Sequence, residues 1–157
     1  MQHMWGPWRM EYIRMEKPEG CIFCDCPEEE KDAEYHILYR GELNFVMLNL
    51  YPYSPGHLIV APYRHMDSPE KLTKEERSEH FEIVSRCVDI LRKEFSPDGF
   101  NLGMNLGKVG GAGIDDHVHS HVVPRWNGDT NFMTVISDTR VVPEAIKETY
   151  NNLKGKF

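Results

Sequence analysis

The sequence predicts an α+β fold, a mostly antiparallel sheet covered by one main helix, in a single domain spanning 1–157. Three observations predict it: short β-branched and aromatic runs parted by turn residues, one segment with sustained helical spacing, and a strand, glycine loop and strand in succession. At 157 residues with 40% hydrophobic and 11% aromatic content, the chain can bury a real core.

Residues 1–34 read as an N-terminal arm that holds Trp5, Pro7, Trp8 and a cysteine cluster, with PEEEKDAE as a solvated loop. From Tyr35, YHILYR and LNFVMLN flank Gly41-Glu42 and predict a hairpin. YPYSPG is the next turn, and HLIVA a buried strand ended by Pro62, with His65 in the loop that leaves it. Thr73 and Glu76 form a capping box, after which Phe81, Val84, Val88, Leu91 and Phe95 recur at helical spacing up to Ser96-Pro97-Asp98-Gly99. FNLGMNL is then a strand, GKVGGAG a glycine-rich loop, and HVHSHVV a strand ended by Pro124. Residues 127–157 form a C-terminal tail, with NFMTVI as a short strand and PEAIKETYNNL as a helix carrying Pro143 in its first turn.

Lys+Arg 18 against Asp+Glu 25 gives a net charge of −7, which would repel a nucleic-acid backbone bound through Lys and Arg. A small anionic substrate is compatible with it, because backbone N–H groups and a few side chains can make one site locally positive. No apolar run approaches the ~20 residues of a membrane span, and the opening MQHMWGPWRMEYIRMEKPEG has no apolar signal core, so a cytoplasmic, non-membrane protein is expected. Of the four cysteines, Cys21, Cys24 and Cys26 crowd into CIFCDC and Cys87 stands alone, a pattern of metal ligands rather than a secreted disulfide framework.

His117, His119 and His121 alternate with Val118, Ser120 and Val122, so on a strand the three imidazoles share one face. A lone strand histidine is most simply a solvent-facing polar residue; three at period two beside a glycine loop indicate a site. At ~3.3 Å per residue the outer two start ~13 Å apart, too far for all three to ligate one zinc at ~2.0–2.1 Å. Asp115 and Asp116 precede the first histidine, which is not the HxHxDH order of binuclear hydrolases. Covalent catalysis remains: an imidazole with one nitrogen held as a donor to a carbonyl aims its other lone pair at an electrophile such as phosphorus. The GKVGGAG loop can present backbone N–H groups to phosphate oxygens.

HVHSHVV resembles the H-φ-H-φ-H-φ-φ signature of the histidine-triad superfamily of nucleotide hydrolases and transferases, with Ser120 polar where the pattern is apolar. The likeness runs from about Cys21 to Trp126 through NLYPYSPGHLIVAPYRH and GFNLGMNLGKVGGAG, while MWGPWRMEY and HVVPRWNGDTNFMTVISDTRV look like its diadenosine-polyphosphate phosphorylase (ATP adenylyltransferase) branch. The resemblance implies a histidine-triad fold in which His119 is the nucleophile that becomes nucleotidylated and His121 contacts the α-phosphate. It also implies a supporting His57, an Asn49 that binds the ribose, an Asn105 that contacts the phosphate or leaving group, and a phosphate path lined by Gly111, Ala112 and Gly113. Many relatives carry Ser, Thr or Gln in that loop; Ala112-Gly113-Ile114 has none, so no residue is assigned to protonate the leaving group. On the residues alone, Asn49 as a turn cap and His57 as a satisfied core histidine stay open. Arg125 reads either as added positive charge or as a surface ion-pair partner, and Trp126 as an adenine platform or an anchor.

CIFC has the Cys-x₂-Cys spacing of a tetrahedral zinc clamp that needs two more ligands. A redox pair competes, but no strand precedes Cys21 and an acidic, Pro-containing loop is expected after Cys24. The resemblance completes the set as Cys21, Cys24, His65 and His117, with Cys26 as a competitor, and makes the Zn²⁺ structural. It further implies a homodimer with a continuous sheet and an enzyme that cleaves diadenosine polyphosphates at the α-phosphorus, with inorganic phosphate or water as acceptor. A purine nucleoside phosphoramidase and a non-catalytic nucleotide-binding protein are the alternatives.

Overall fold

The computed structural model describes residues 20–129 and 145–157. Helices α1 (Ile22–Glu28) and α2 (Asp32–Tyr35) precede strands β1 (Ile37–Arg40), β2 (Asn44–Leu48) and β3 (Leu58–Pro62). A 3₁₀ turn (Pro69–Lys71) leads into the long helix α3 (Lys74–Phe95), followed by β4 (Gly99–Met104), β5 (Ser120–Arg125) and α4 (Ile146–Leu153). The strands form one antiparallel sheet in the order β1-β2-β3-β5-β4, so the α+β expectation holds. Among the described residues no helix is long and apolar enough to cross a membrane.

The period of two along the strands sorts the core into two layers. Val46, Leu48, Leu58, Val60 and Val122 face α3, where they meet Ile83, Val84, Cys87, Ile90 and Leu91. Phe45, Met47, Ile59 and Ala61 face the other way, against Phe23 of α1 and Ile37. β2 and β3 are buried on both faces, which is why they read as unbroken apolar runs. The buried stripe of α3 includes His80, Ile83, Val84, Cys87, Ile90 and Leu91, whereas Phe81 is 69% exposed. The expected apolar face is corrected there, because Phe81 lies one ~100° step round the helix from His80.

α3 begins as predicted. Thr73 Oγ1 accepts the Glu76 N–H at 3.1 Å and Glu76 Oε2 accepts the Thr73 N–H at 2.6 Å. Arg64 donates Nε to Glu76 Oε1 at 2.7 Å and Nη2 to Oε2 at 2.6 Å, which holds the carboxyl at about 2. The unfolded chain protonates such a group near ~4.3. The resulting stability is therefore complete above that value and lost as pH falls through about 2. We expect Glu76→Gln to melt at a lower temperature than wild type at pH 7 and for the difference to shrink towards pH 2, measured as paired thermal melts.

Four further expectations change. CIFCDCPE is α1 rather than unstructured arm, with Cys21 as its N-cap and Pro27 inside its last turn. The acidic stretch is not all loop, since Asp32–Tyr35 forms α2. β5 opens at Ser120 and runs through Pro124 to Arg125 instead of ending at the proline. Pro124 opposes Phe100 of β4, and its carbonyl points away to accept from Ser54 Oγ at 2.8 Å, so its missing N–H costs no ladder bond to β4. The last helix starts after an extended Ala145, not at Pro143. Pro143, NFMTVI, Trp5, Pro7 and Trp8 lie outside the described residues.

Candidate active site and metal centre

His121 on β5, with His117 and His119 in the three residues before it, lies on the sheet face opposite α3. Val118 N–H bonds Met66 O at 2.5 Å, which fastens this approach to the chain leaving β3. His121 stands opposite Ile59 in the ladder, and His119 and His121 lie edge to face with ring centroids 5.0 Å apart. Phe23, between the two cysteines, packs 4.7 Å from the His119 ring and 5.3 Å from His117.

Hydrogen bonds assign each imidazole a different proton and so a different chemistry. His119 Nδ1 lies 2.8 Å from the His117 carbonyl, which only accepts, so Nδ1 carries the proton and Nε2 the lone pair. His57 Nδ1 accepts the Tyr53 N–H at 3.1 Å, so its proton sits on Nε2 and is donated to His121 Nδ1 at 3.0 Å. That leaves His121 with Nε2–H as a donor. His117 Nε2 donates to the Pro62 carbonyl at 2.8 Å, so its lone pair is on Nδ1, beside Cys21 Sγ at 3.3 Å and Cys24 Sγ at 3.5 Å. One short segment thus offers a lone pair beside two thiols, a lone pair on a buried ring and a hydrogen-bond donor at successive odd positions. Burial lowers the pKa of His119, and burial with His119 alongside holds His121 at about 4, so both rings are neutral at pH 7.

His57 is buried and fixed by its turn. Asn49 N–H bonds the His57 carbonyl at 3.0 Å, and His57 N–H bonds Ser54 O at 3.2 Å. Gly56 has φ +73, and a Cβ there would come within 3.0 Å of Leu91, so this turn needs glycine on two counts. Tyr53 lies against both His57 and His121, at 4.7 and 6.1 Å. Asn49 Oδ1 accepts the Tyr51 N–H at 2.9 Å, so the asparagine caps the turn. Asn105 Nδ2 reaches Gly111 O at 3.5 Å and braces the glycine loop. Gly111 has φ +89; its N–H bonds Lys108 O at 3.0 Å, and Ala112 N–H bonds Gly107 O at 3.2 Å. Beside His121 a groove of about 240 Å³ is lined by Tyr53, Asn101, Gly103, Asn105 and Arg125. Arg125 is an ion-pair partner: it donates to Asp129 at 2.5 and 2.9 Å and to Asn101 at 2.7 Å.

Cys21, Cys24, His65 and His117 form a cluster that could hold a metal ion, with donor atoms within 4.8 Å of one another. Cys24 Sγ is 3.3 Å from His65 Nδ1, and the sulfur–nitrogen separations of 3.3–3.5 Å approach the ~3.6 Å that tetrahedral Zn–S and Zn–N bonds imply. Two thiols, two imidazoles and a lone pair on His117 Nδ1 suit a closed S₂N₂ centre. Protein groups alone hold the Cys24 thiol at about 12, chiefly through burial and Cys21, so a cation is what would favour its thiolate. Asp116 Oδ2 lies 3.9 Å from His65 Nε2, outside hydrogen-bond reach. Cys26 lies outside the cluster.

Two of these contributors, Phe23 and Tyr53, are not apparent from spacing.

A family model described as HIT domain matches residues 30–128. An AP-4-A phosphorylase of Mycobacterium tuberculosis is 37% identical over 158 aligned positions, covering 95% of this chain and 80% of the relative. A bis(5'-nucleosyl)-tetraphosphatase (asymmetrical) of Schizosaccharomyces pombe is 33% identical over 77% of this chain and 63% of its own length. Among solved structures, a Zn-bound histidine triad family protein from Mycobacterium smegmatis superposes with a TM-score of 0.69 at 28% identity, covering 86% of this chain and 91% of that one.

Proposed function

This chain belongs to the HIT domain family, and on that footing we propose that it is a nucleotide-processing enzyme that cleaves diadenosine polyphosphates at the α-phosphorus through a nucleotidyl-His119. The observation that carries the reading is the His119 Nδ1 to His117 O bond of 2.8 Å, which reserves Nε2 as a nucleophile in a neutral, buried ring.

Nε2 attacks the α-phosphorus, a P–N bond forms, and the P–O bond to the remaining polyphosphate breaks. The positive charge gained by the ring is shared with the His117 carbonyl through Nδ1–H. His121 Nε2–H, oriented by His57, donates to an α-phosphate oxygen as charge develops there. An oxygen of inorganic phosphate, or of water, then attacks the same phosphorus; the P–N bond breaks, the electron pair returns to Nε2, and where water is the acceptor the proton it sheds is released to solvent. Asn49 binds the ribose and Asn105 the phosphate or leaving group. Gly111, Ala112 and Gly113 line the phosphate path, where an arriving polyphosphate exchanges loop-internal bonds for its own.

Cys21, Cys24, His65 and His117 hold a structural Zn²⁺ that ties α1 to the base of the histidine segment, two residues before the nucleophile. The enzyme works in the cytoplasm as a homodimer whose sheet continues across an interface.

The test is product analysis on diadenosine tetraphosphate with and without phosphate. ADP and ATP formed only with phosphate support a phosphorylase; AMP and ATP in both conditions make it a hydrolase through the same intermediate. No turnover overturns the dinucleotide reading, and rapid AMP release from an adenosine phosphoramidate would replace it.

A further inference from the structure

Behind the histidine face, on the side of the sheet that meets α3, a second imidazole system is closed off from the site. His80 is 5% exposed, with Nε2 2.7 Å from Ser120 Oγ and Nδ1 2.8 Å from Asn44 Oδ1. Asn44, fully buried, donates its Nδ2 to Glu79 Oε2 at 2.9 Å and to the Glu76 carbonyl at 3.1 Å. Both of those partners only accept, so the Asn44 amide has one orientation and its Oδ1 must accept. His80 therefore carries its proton on Nδ1. Burial, with His119 nearby, holds the ring neutral at about 4, so Nε2 accepts and the Ser120 hydroxyl donates to it. The chain of donation runs one way, Ser120 to His80 to Asn44 to Glu79. Its end is anchored because Glu79 also accepts the backbone N–H groups of Glu42 and Leu43 at 2.7 and 2.8 Å.

Each polar atom in this run has a partner, the condition under which a buried network rigidifies rather than destabilises. Ser120 sits between His119 and His121 and points to the opposite face. Its hydroxyl is thus a tether that sets how deep that stretch of backbone lies, and with it where the two neighbouring imidazoles stand.

We propose that His80 and Ser120 are positioning residues for the reaction: through the chain to Asn44 and Glu79 they fix the register and depth of His119 and His121 without touching substrate. This rests on the reading of His119 as nucleophile. Ser120 and His80 lie on the α3 side of the sheet, away from the face that carries the His121 ring, so the step that suffers when they are altered is chemistry, not binding.

The experiment measures kcat and KM on diadenosine tetraphosphate for wild type, Ser120→Ala, Ser120→Thr and His80→Gln. Assays run well below each protein's melting temperature, alongside ¹H–¹⁵N imidazole spectra. Loss of the tether is expected to lower kcat by about 10- to 100-fold in Ser120→Ala, the scale of a sub-ångström to 1 Å displacement of a reacting group. KM should stay within about twofold. Ser120→Thr, which keeps the hydroxyl, should recover most of kcat, and His80→Gln should fall between. In the spectra the single Nδ1–H tautomer of His119 should become mixed in Ser120→Ala and stay single in Ser120→Thr. A folded Ser120→Ala with wild-type kcat and an unmixed His119 tautomer overturns the proposal, as does a fall in melting temperature alone. Inactive wild type would count against the proposed function instead, and the tautomer comparison would still decide the role of Ser120 and His80.

Discussion

His119→Ala should lose at least ~10³-fold in kcat, with adenine nucleotides still bound, because in the proposed mechanism it removes the group that forms the covalent bond rather than one that holds the substrate. His121→Ala should lose less, about 10²-fold, since it deletes one hydrogen-bond donor to the transition state. After a brief incubation with substrate labelled at the α-phosphorus, denaturing electrophoresis should show label on wild type and, more slowly formed, on His121→Ala. Label on His119→Ala would refute the assignment. Because the His119 ring packs against Phe23, His119→Asn serves as a second variant that keeps polar bulk in place. The lowered pKa values fix the direction of the pH dependence. His121 at about 4 and His119 below the ordinary histidine value both favour the neutral ring at pH 7, so the acid limb of kcat/KM should be centred below 6.5. An acid limb centred at or above 6.5 would contradict this.

Removing the metal is the second large effect expected. The cluster joins Cys21 to His117 across 96 positions and Cys24 to His65 across 41, so it clips the arm to two distant parts of the chain. Metal binding free energy in such centres counts as folding free energy. If about 4 kcal/mol of it is retained here, at ~2–4 °C per kcal/mol for a chain of this size, chelation should lower the melting temperature by ~10 °C. Cys24→Ser should reproduce that loss and abolish stoichiometric zinc, whereas Cys26→Ser should do neither. A protein whose melting is unchanged by chelation but whose turnover tracks metal content would show that the ion is catalytic instead.

The parts of this molecule legible from its sequence are those governed by local periodicity. The capping box at Thr73 and Glu76 and the run from Leu58 each state their geometry within a few residues, because helix and strand periods act locally, whereas of the three alternating histidines only His121 lies inside β5. The cysteine segment was harder to read. Pro27 and the acidic residues suggest a loop, yet Phe23 buries itself against His117 and His119, and that distant packing makes α1 worth forming. Phe81 misleads for the complementary reason: a large apolar side chain counts towards a helical face, while the polar His80 beside it is the residue that goes inside. The protonation pattern of the site is not written in spacing at all. It depends on the Pro62 carbonyl and the Tyr53 N–H, groups that every sequence has and that only folding brings to particular rings.

The order β1-β2-β3-β5-β4 gives the sheet a seam. β2 and β3 share five register pairs and β4 and β5 six, but β3 and β5 share only three, from Leu58–Val122 to Val60–Ser120. Opening along that line would leave both flanking ladders whole, yet it would part His57, just before β3, from His121 on β5. The His57–His121 bond that the proposed reaction uses therefore crosses this short ladder, which the packing of Leu58, Val60 and Val122 on α3 holds shut from the other face.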